Sequence, residues 1–352
     1  MLEISLLAIV VLVLILPLTI HSVEKNLEAF LFIMGVFAVS FSHFIGQIHM
    51  WSWHLVEEAL VEPIMISAAV IVVGVIVFGY KRIIEKYILK IENILGTRLF
   101  VFLLIAGLGL CSSIITAIMA AILLVEAISV LKYKKEFEIK IVVLGCFAIG
   151  LGAALTPIGE PLSTIAIAKL KAPPYNADFF FLLRNIGVYV IPGVVLFAVL
   201  GAVLKSHGKR EPYEHGLHEK GKEKFADVIV RGGKVYLFIM ALVLLGAGLK
   251  PMIDAYVIKL PSWALYWINT ISAVLDNATL AAAEISPKMS LPQLKYVLMG
   301  LLVSGGMLIP GNIPNIISAG RLGITSKQWA KIGLPLGFVI LLVYFGIFQF
   351  LH

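Results

Sequence analysis

Gly152-Ala-Ala-Leu-Thr-Pro157-Ile-Gly-Glu160-Pro161 and Gly305-Gly-Met-Leu-Ile-Pro310-Gly-Asn312-Ile-Pro314 follow one plan. Each has a glycine, then a proline, then a second proline four residues later. Each lies inside a long apolar run, residues 141–170 and 294–319. Proline removes a backbone donor and clashes with the preceding turn, and glycine permits unwound backbone. Both runs therefore read as helices broken near the middle, around 152–161 and 305–315. Irregular backbone in such surroundings is tolerated only where protein or a wet cavity covers it.

Composition identifies the solvent. The mean hydropathy is +1.01 and only 14% of residues are charged, against about 25% in a soluble domain. Many windows exceed the roughly 20 apolar residues that cross a bilayer. The expected class is an all-α polytopic membrane protein, since a barrel would alternate in short strands. The net charge of +7 is assigned to bases in cytoplasmic loops, so no nucleic-acid partner is expected. Cys111 and Cys146 lie in apolar stretches without metal spacing and read as packing residues. The first apolar run, Ile4–Ile20, reads as a retained span.

Charge asymmetry sets the topology. No Lys or Arg occurs from Asn26 to Tyr80, whereas residues 81–98 hold five bases; the first stretch is outside and the second inside. Residues 1–80 form N-terminal scaffold spans, and 81–98 an interfacial helix with Ile83, Ile84, Tyr87, Ile88 and Ile91 on one face. Residues 99–131 are too long for one crossing, about 50 Å as a helix, and have basic flanks on both sides. They are expected to form a re-entrant hairpin with its tip near Ser112–Thr116. The first repeat, 99–204, then continues with the broken helix 141–170 and a span over 179–204. Residues 205–234, with His207, His215 and His218, form a charged cytoplasmic loop. The second repeat, 235–352, holds a span over 235–249, a hairpin over 262–286, the broken helix 294–319 and a span over 332–351. The total is eight spans and two hairpins, multi-pass in the cell membrane, with both termini external.

The two halves also match at the hairpin tips. Ser112-Ser-Ile-Ile-Thr116 lines up with Ser272-Ala-Val-Leu-Asp276, and Val125-Glu126 with Ala283-Glu284. One hairpin enters from inside and the other from outside, so the repeats are inverted. Secondary transporters build midplane ion sites in this way. An acid at membrane depth costs several kcal/mol and marks an ion or proton path. Asp276 and Glu160 are therefore the candidate anionic ligands of a transported monovalent cation. Asn277, Thr116, Ser112 and Ser113 would supply neutral oxygens, as hard cations require. Glu126 and Glu284 are expected at the interface, and Arg184 is expected to snorkel outward.

The Leu275-Asp276-Asn277 tip and the Gly-x-x-x-x-Pro-x-x-x-Pro break resemble the ion transporter superfamily. That group includes NhaD-type sodium/proton antiporters, arsenite permeases and dicarboxylate/citrate carriers. The nearest likeness is to an uncharacterised prokaryotic branch of cation transporter-like proteins, from about residue 60 onward. The resemblance implies a homodimer whose scaffold helices hold a mobile unit of hairpins and broken helices, moving as an elevator. The residues on its ion-site motif are Ser112, Ser113, Thr116, Thr156, Asp276, Asn277 and Asn312; Ser272 and Asn315 flank them in the second tip and break. Two departures stand out: the first tip carries Thr116 where the second has Asp276, and the Ser-Asn-Thr triplet of the dicarboxylate carriers is absent.

The expected function is secondary active transport, a sodium (cation)/proton antiport. Burial raises a carboxylate pKa toward neutrality, so such an acid holds a proton or a cation but not both. An anion, oxyanion or carboxylate carrier of the same fold is the alternative. Catalysis is not expected: His-Glu-x-x-His is absent and Asp276 is the only aspartate at depth. No resident cofactor is expected either; the ions and protons are cargo.

Overall fold

The computed structural model describes residues 2–20, 22–23, 26–47, 49–204, 225–252, 260–275 and 277–351. Every regular element among them is helical. In chain order these are α1 (Leu2–Thr19), α2 (Leu27–Phe44), α3 (Trp53–Ile115), α4 (Ala117–Leu131), α5 (Lys135–Ala153), α6 (Pro161–Lys169) and α7 (Phe181–Val203). After them come α8 (Phe225–Met252), α9 (Ser262–Ile268), α10 (Asn277–Glu284), α11 (Leu291–Gly305), α12 (Ile313–Leu322) and α13 (Ser326–Leu351). Short 3-10 turns cover Asn269–Ala273 and Ile309–Gly311.

Among the described residues, five stretches are long and apolar enough to cross a membrane: Leu27–Phe44, Lys86–Ile115, Phe181–Val203, Gly232–Met252 and Ser326–Phe350. This is compatible with a multi-pass membrane protein. The apolar runs 141–170 and 294–319 add no continuous span, because each is two short helices. Outward faces agree with an apolar solvent. Val188, Val195, Val199 and Val203 of α7 and Phe338, Val339, Leu342 and Val343 of α13 are all exposed, a belt too large for a water-facing monomer.

α5 and α11 form the centre. Almost every residue of both is buried, as expected of helices that are apolar all round and packed on all sides. Both end in a break. α5 gives way at Ala153 to six non-helical residues, and Glu160 opens α6 in extended backbone, with Pro161 in the first turn. α11 gives way at Gly305, and Asn312 opens α12 in the same conformation, with Pro314 in the first turn.

α2 and α8 form the second layer. Their backbones approach closely: a Cβ on Gly35 would meet Leu244 Cβ at 2.9 Å, and one on Gly248 would meet Ala38 backbone at 2.5 Å. Ser42 Oγ donates to the Gly248 carbonyl at 2.6 Å, and Lys234 pairs with Glu28 at 2.7 Å. The first part of α3 joins this layer, its Leu60 carbonyl accepting from Tyr236 at 2.7 Å.

Two stretches differ from the sequence expectation. Helix runs unbroken from Trp53 to Leu95, so 81–98 does not stand apart as its own element; the break falls at Gly96, whose φ of 73° suits glycine. Residues 225–234 are the first turns of α8 rather than loop. Their charges had suggested solvent, but charge does not stop a helix from extending past its apolar part. His207, His215 and His218 lie outside the described residues.

Candidate functional site

The chain doubles back twice. Thr116, with φ 75° and ψ 150°, is the one non-helical residue between α3 and α4, and its hydroxyl caps α4 by accepting from Met119 N at 3.3 Å. The return arm ends beside the start of the outgoing one: Tyr133 donates to Glu92 at 3.4 Å, and Thr97 donates to the same carboxylate at 2.8 Å. The second reversal lies between Ala273 and Asn277, and there Glu284 returns beside Asn269. Asp276, the acid singled out in the sequence, lies outside the described residues.

Each tip sits on a break. At the first, Ala117 N donates to the Gly159 carbonyl at 2.8 Å, and Thr156 donates to the Ser113 carbonyl. Ser163 locks the loop by donating to the carbonyls of Thr156 and Glu160 at 2.8 and 2.7 Å. At the second, a Cβ on Gly311 would meet the Ser272 carbonyl at 2.7 Å, and one on Gly305 would meet Asn277 Nδ2 at 3.5 Å. Asn315 Nδ2 holds this loop closed, donating to the carbonyls of Gly305 and Leu308 at 2.7 and 2.8 Å.

The sequence-predicted residues thus fall into two groups. Ser113, Thr116 and Thr156 meet at the first tip. Ser272, Asn277, Asn312 and Asn315 meet at the second. Ser112 faces away from the tip, donating to the carbonyls of Gly109 and Ile149, and so ties α3 to α5. Ser272 Oγ donates to the Leu301 carbonyl at 3.3 Å. These hydroxyls spend their proton on backbone but keep their lone pairs, which are what a cation would use. α5 bridges the groups, because a Cβ on Gly150 would meet Asn312 Nδ2 at 2.9 Å.

Helices exchange partners across the chain's halves. The return arm α4 packs on α12, and the return arm α10 packs on α6. Ile118, Ala121 and Ile122 cluster with Ile313 and Ile317 near the tips, and Glu126 pairs with Arg321 at 2.7 Å further out. α4 and α12 therefore run parallel, both starting at the centre. With α4 starting on Gly159 and α10 starting beside Gly305, four helix N-termini converge. Each carries roughly +0.5 charge at its end.

Two of those termini are left open by their own caps. Glu160 (φ −156°, ψ 160°) and Asn312 (φ −157°, ψ 148°) adopt almost the same backbone, and neither side chain caps its helix. Both are buried, Glu160 being 5% exposed. By structure, then, a carboxylate and a carboxamide occupy equivalent posts. Asn277, 2% exposed, leaves its Nδ2 without a partner there.

Three acids depart from or refine the expectation. Glu284 is buried within the protein, 1% exposed. Glu126 is largely buried and salt-bridged. Asp178, exposed beside α7, accepts from Arg184 at 2.6 Å, and the guanidinium holds its carboxyl below the usual range. Cys146, buried as expected, donates toward Ser318 across α5 and α12, whereas Cys111 is exposed. Sequence reading also missed the loop-closing work of Ser163 and the placement of Asn269.

Residues 3–351 match the family described as protein of unknown function (DUF1646), and the chain belongs to that family. No curated protein matches the chain.

Proposed function

We propose that this member of the DUF1646 family is a secondary active transporter, exchanging a monovalent cation, sodium foremost, for protons. The observation that carries the reading is the convergence of four helix N-termini on the posts held by Glu160 and Asn312, inside an apolar all-helical bundle. Four ends at roughly +0.5 each give about +2; Glu160, when ionised, offsets part of it, and Asp276 is the second acid this reading calls on. A cation then enters a near-neutral cavity lined with oxygens. Protonating either acid leaves the centre positive and expels the cation, so proton and cation exclude each other. That exclusion is the coupling antiport needs.

In this reading the two reversals are re-entrant hairpins of an inverted repeat, and α6, α10, α12 and α4 reach outward from the midplane in pairs. The hairpins, α5, α6, α11 and α12 form the moving unit, and α2, α8 and the start of α3 the scaffold, of a dimeric elevator in the cell membrane. The second reading, an anion or oxyanion carrier, is favoured by one observation: the open N-termini of α6 and α12 are ready anion ligands once the acids are protonated.

Reconstitution with an internal pH dye and a preset proton gradient tests both. Sodium, lithium or potassium should collapse the gradient, and Glu160→Gln or Asp276→Asn should abolish the response. Silence of the folded wild type with every cation would sink antiport. A response to citrate or an oxyanion instead would establish the second reading.

A further inference from the structure

Glu284 belongs to neither tip. It is the last residue of α10, about 10 Å of helix rise from Asn277, and neither carboxylate oxygen makes a hydrogen bond of good geometry. Its polar neighbour is Asn269, whose amide nitrogen reaches toward the carboxylate while its Oδ1 is buried without a partner. Asn269 is fixed by packing over Gly300, where a Cβ would come within 3.3 Å of its own, and by donation to the Val297 carbonyl at 3.4 Å.

An ionised carboxylate in that place is opposed by burial and by the helix end. Burial of an unpaired charge costs several kcal/mol. The C-terminal end of α10 is itself negative, and its last turn contains no base. Helix C-termini also leave carbonyls without intrahelical donors; here Ala281 still accepts from Ile285 N at 3.0 Å, and the helix ends beyond it. No described Lys or Arg forms an ion pair with Glu284.

All these groups are oxygen donors with a net negative potential, and one carboxylate balances one positive charge. Hard monovalent cations take such shells. The Asn269 amide can turn its oxygen toward a bound ion, or its nitrogen toward a bare carboxylate, by rotation about its last bond. We propose that Glu284 and Asn269 form a monovalent-cation site within the second hairpin, separate from the central posts. Its occupancy fastens the short return arm α10 to α9 and α11. This site does not depend on the antiport reading, because it predicts binding whether or not the protein transports.

The test is binding by the full chain in lipid nanodiscs. Radioactive sodium is titrated at constant ionic strength with choline as the replacement, and thermal stability is read in parallel. Wild type should bind sodium and gain several degrees. Glu284→Gln, isosteric and neutral, should lose one equivalent or at least tenfold in affinity, and Asn269→Ala should weaken it severalfold. Glu160→Gln should retain this equivalent. If Glu284→Gln does not fold, Glu284→Asp keeps the charge but retracts it, and should bind more weakly. Unchanged stoichiometry and affinity in a folded Glu284 variant overturn the proposal. So does a wild type stabilised by acid but by none of sodium, lithium and potassium.

Discussion

At the scale of single residues, the glycines around the site differ sharply in what they permit. A Cβ on Gly152 would fall 1.7 Å from the Gly109 carbonyl, so α3 and α5 touch backbone to backbone there. Gly152→Ala must push the two helices apart, at a cost of about 3 kcal/mol or more since a backbone atom cannot rotate away; a clear fall in melting temperature and in folded yield is expected. Gly320, in α12, has nothing within 4 Å of its would-be Cβ. Gly320→Ala should leave the fold intact and stabilise it by up to about 1 kcal/mol through helix propensity. The same melting measurement checks both. Prolines and glycines made the breaks readable from sequence, because their constraints are local. The burial of Glu284 was not readable in the sequence, because burial is not a local property. Glu284 lies only about 10 Å of helix from Asn277, and that short reach from the tip was the available signal.

At the scale of elements, α4 and α12 are joined near their outer ends by Glu126 and Arg321, side chains only 12% and 14% exposed. Breaking a largely buried pair from one side costs on the order of 3 kcal/mol. Arg321→Gln should therefore destabilise strongly, and Glu126→Gln with Arg321→Gln together should recover much of the loss. A double-mutant cycle on melting temperature measures the coupling, and strict additivity would show the pair to be idle. Lys135 adds a second fastening, bonding Glu138 and the Leu322 carbonyl at the end of α12. None of these partners was legible in the sequence. Residues 195 positions apart are brought together by helix exchange, and pattern reading along one chain sees only what each segment does alone. The turn near Thr116 was legible, because the apolar run 99–131 is too long for one crossing. The unbroken helix from Trp53 to Leu95 was not, since basic residues set 81–98 off as a separate element where the helix continues.

At the scale of the whole molecule, the layer of α2, α8 and early α3 meets the central unit at Val70, Val235, Ile122, Ile313 and Ile317. If the central unit slides against that layer, a cross-link between Val70→Cys and Ile122→Cys should stop transport. With Cys111 and Cys146 first replaced by alanine, oxidation should halt cation-driven dye signals and reduction restore them. Undiminished transport by the cross-linked protein would argue for fixed layers. Each return arm rests on a half-helix encoded in the other half of the chain: α4 on α12, and α10 on α6. A ribosome that has released residues up to α7 has delivered an arm whose seat will be translated more than a hundred codons later. Until then the emerging first half must be sheltered by lipid or by the insertion machinery, and a gene cut in two should yield function only when both fragments are made together.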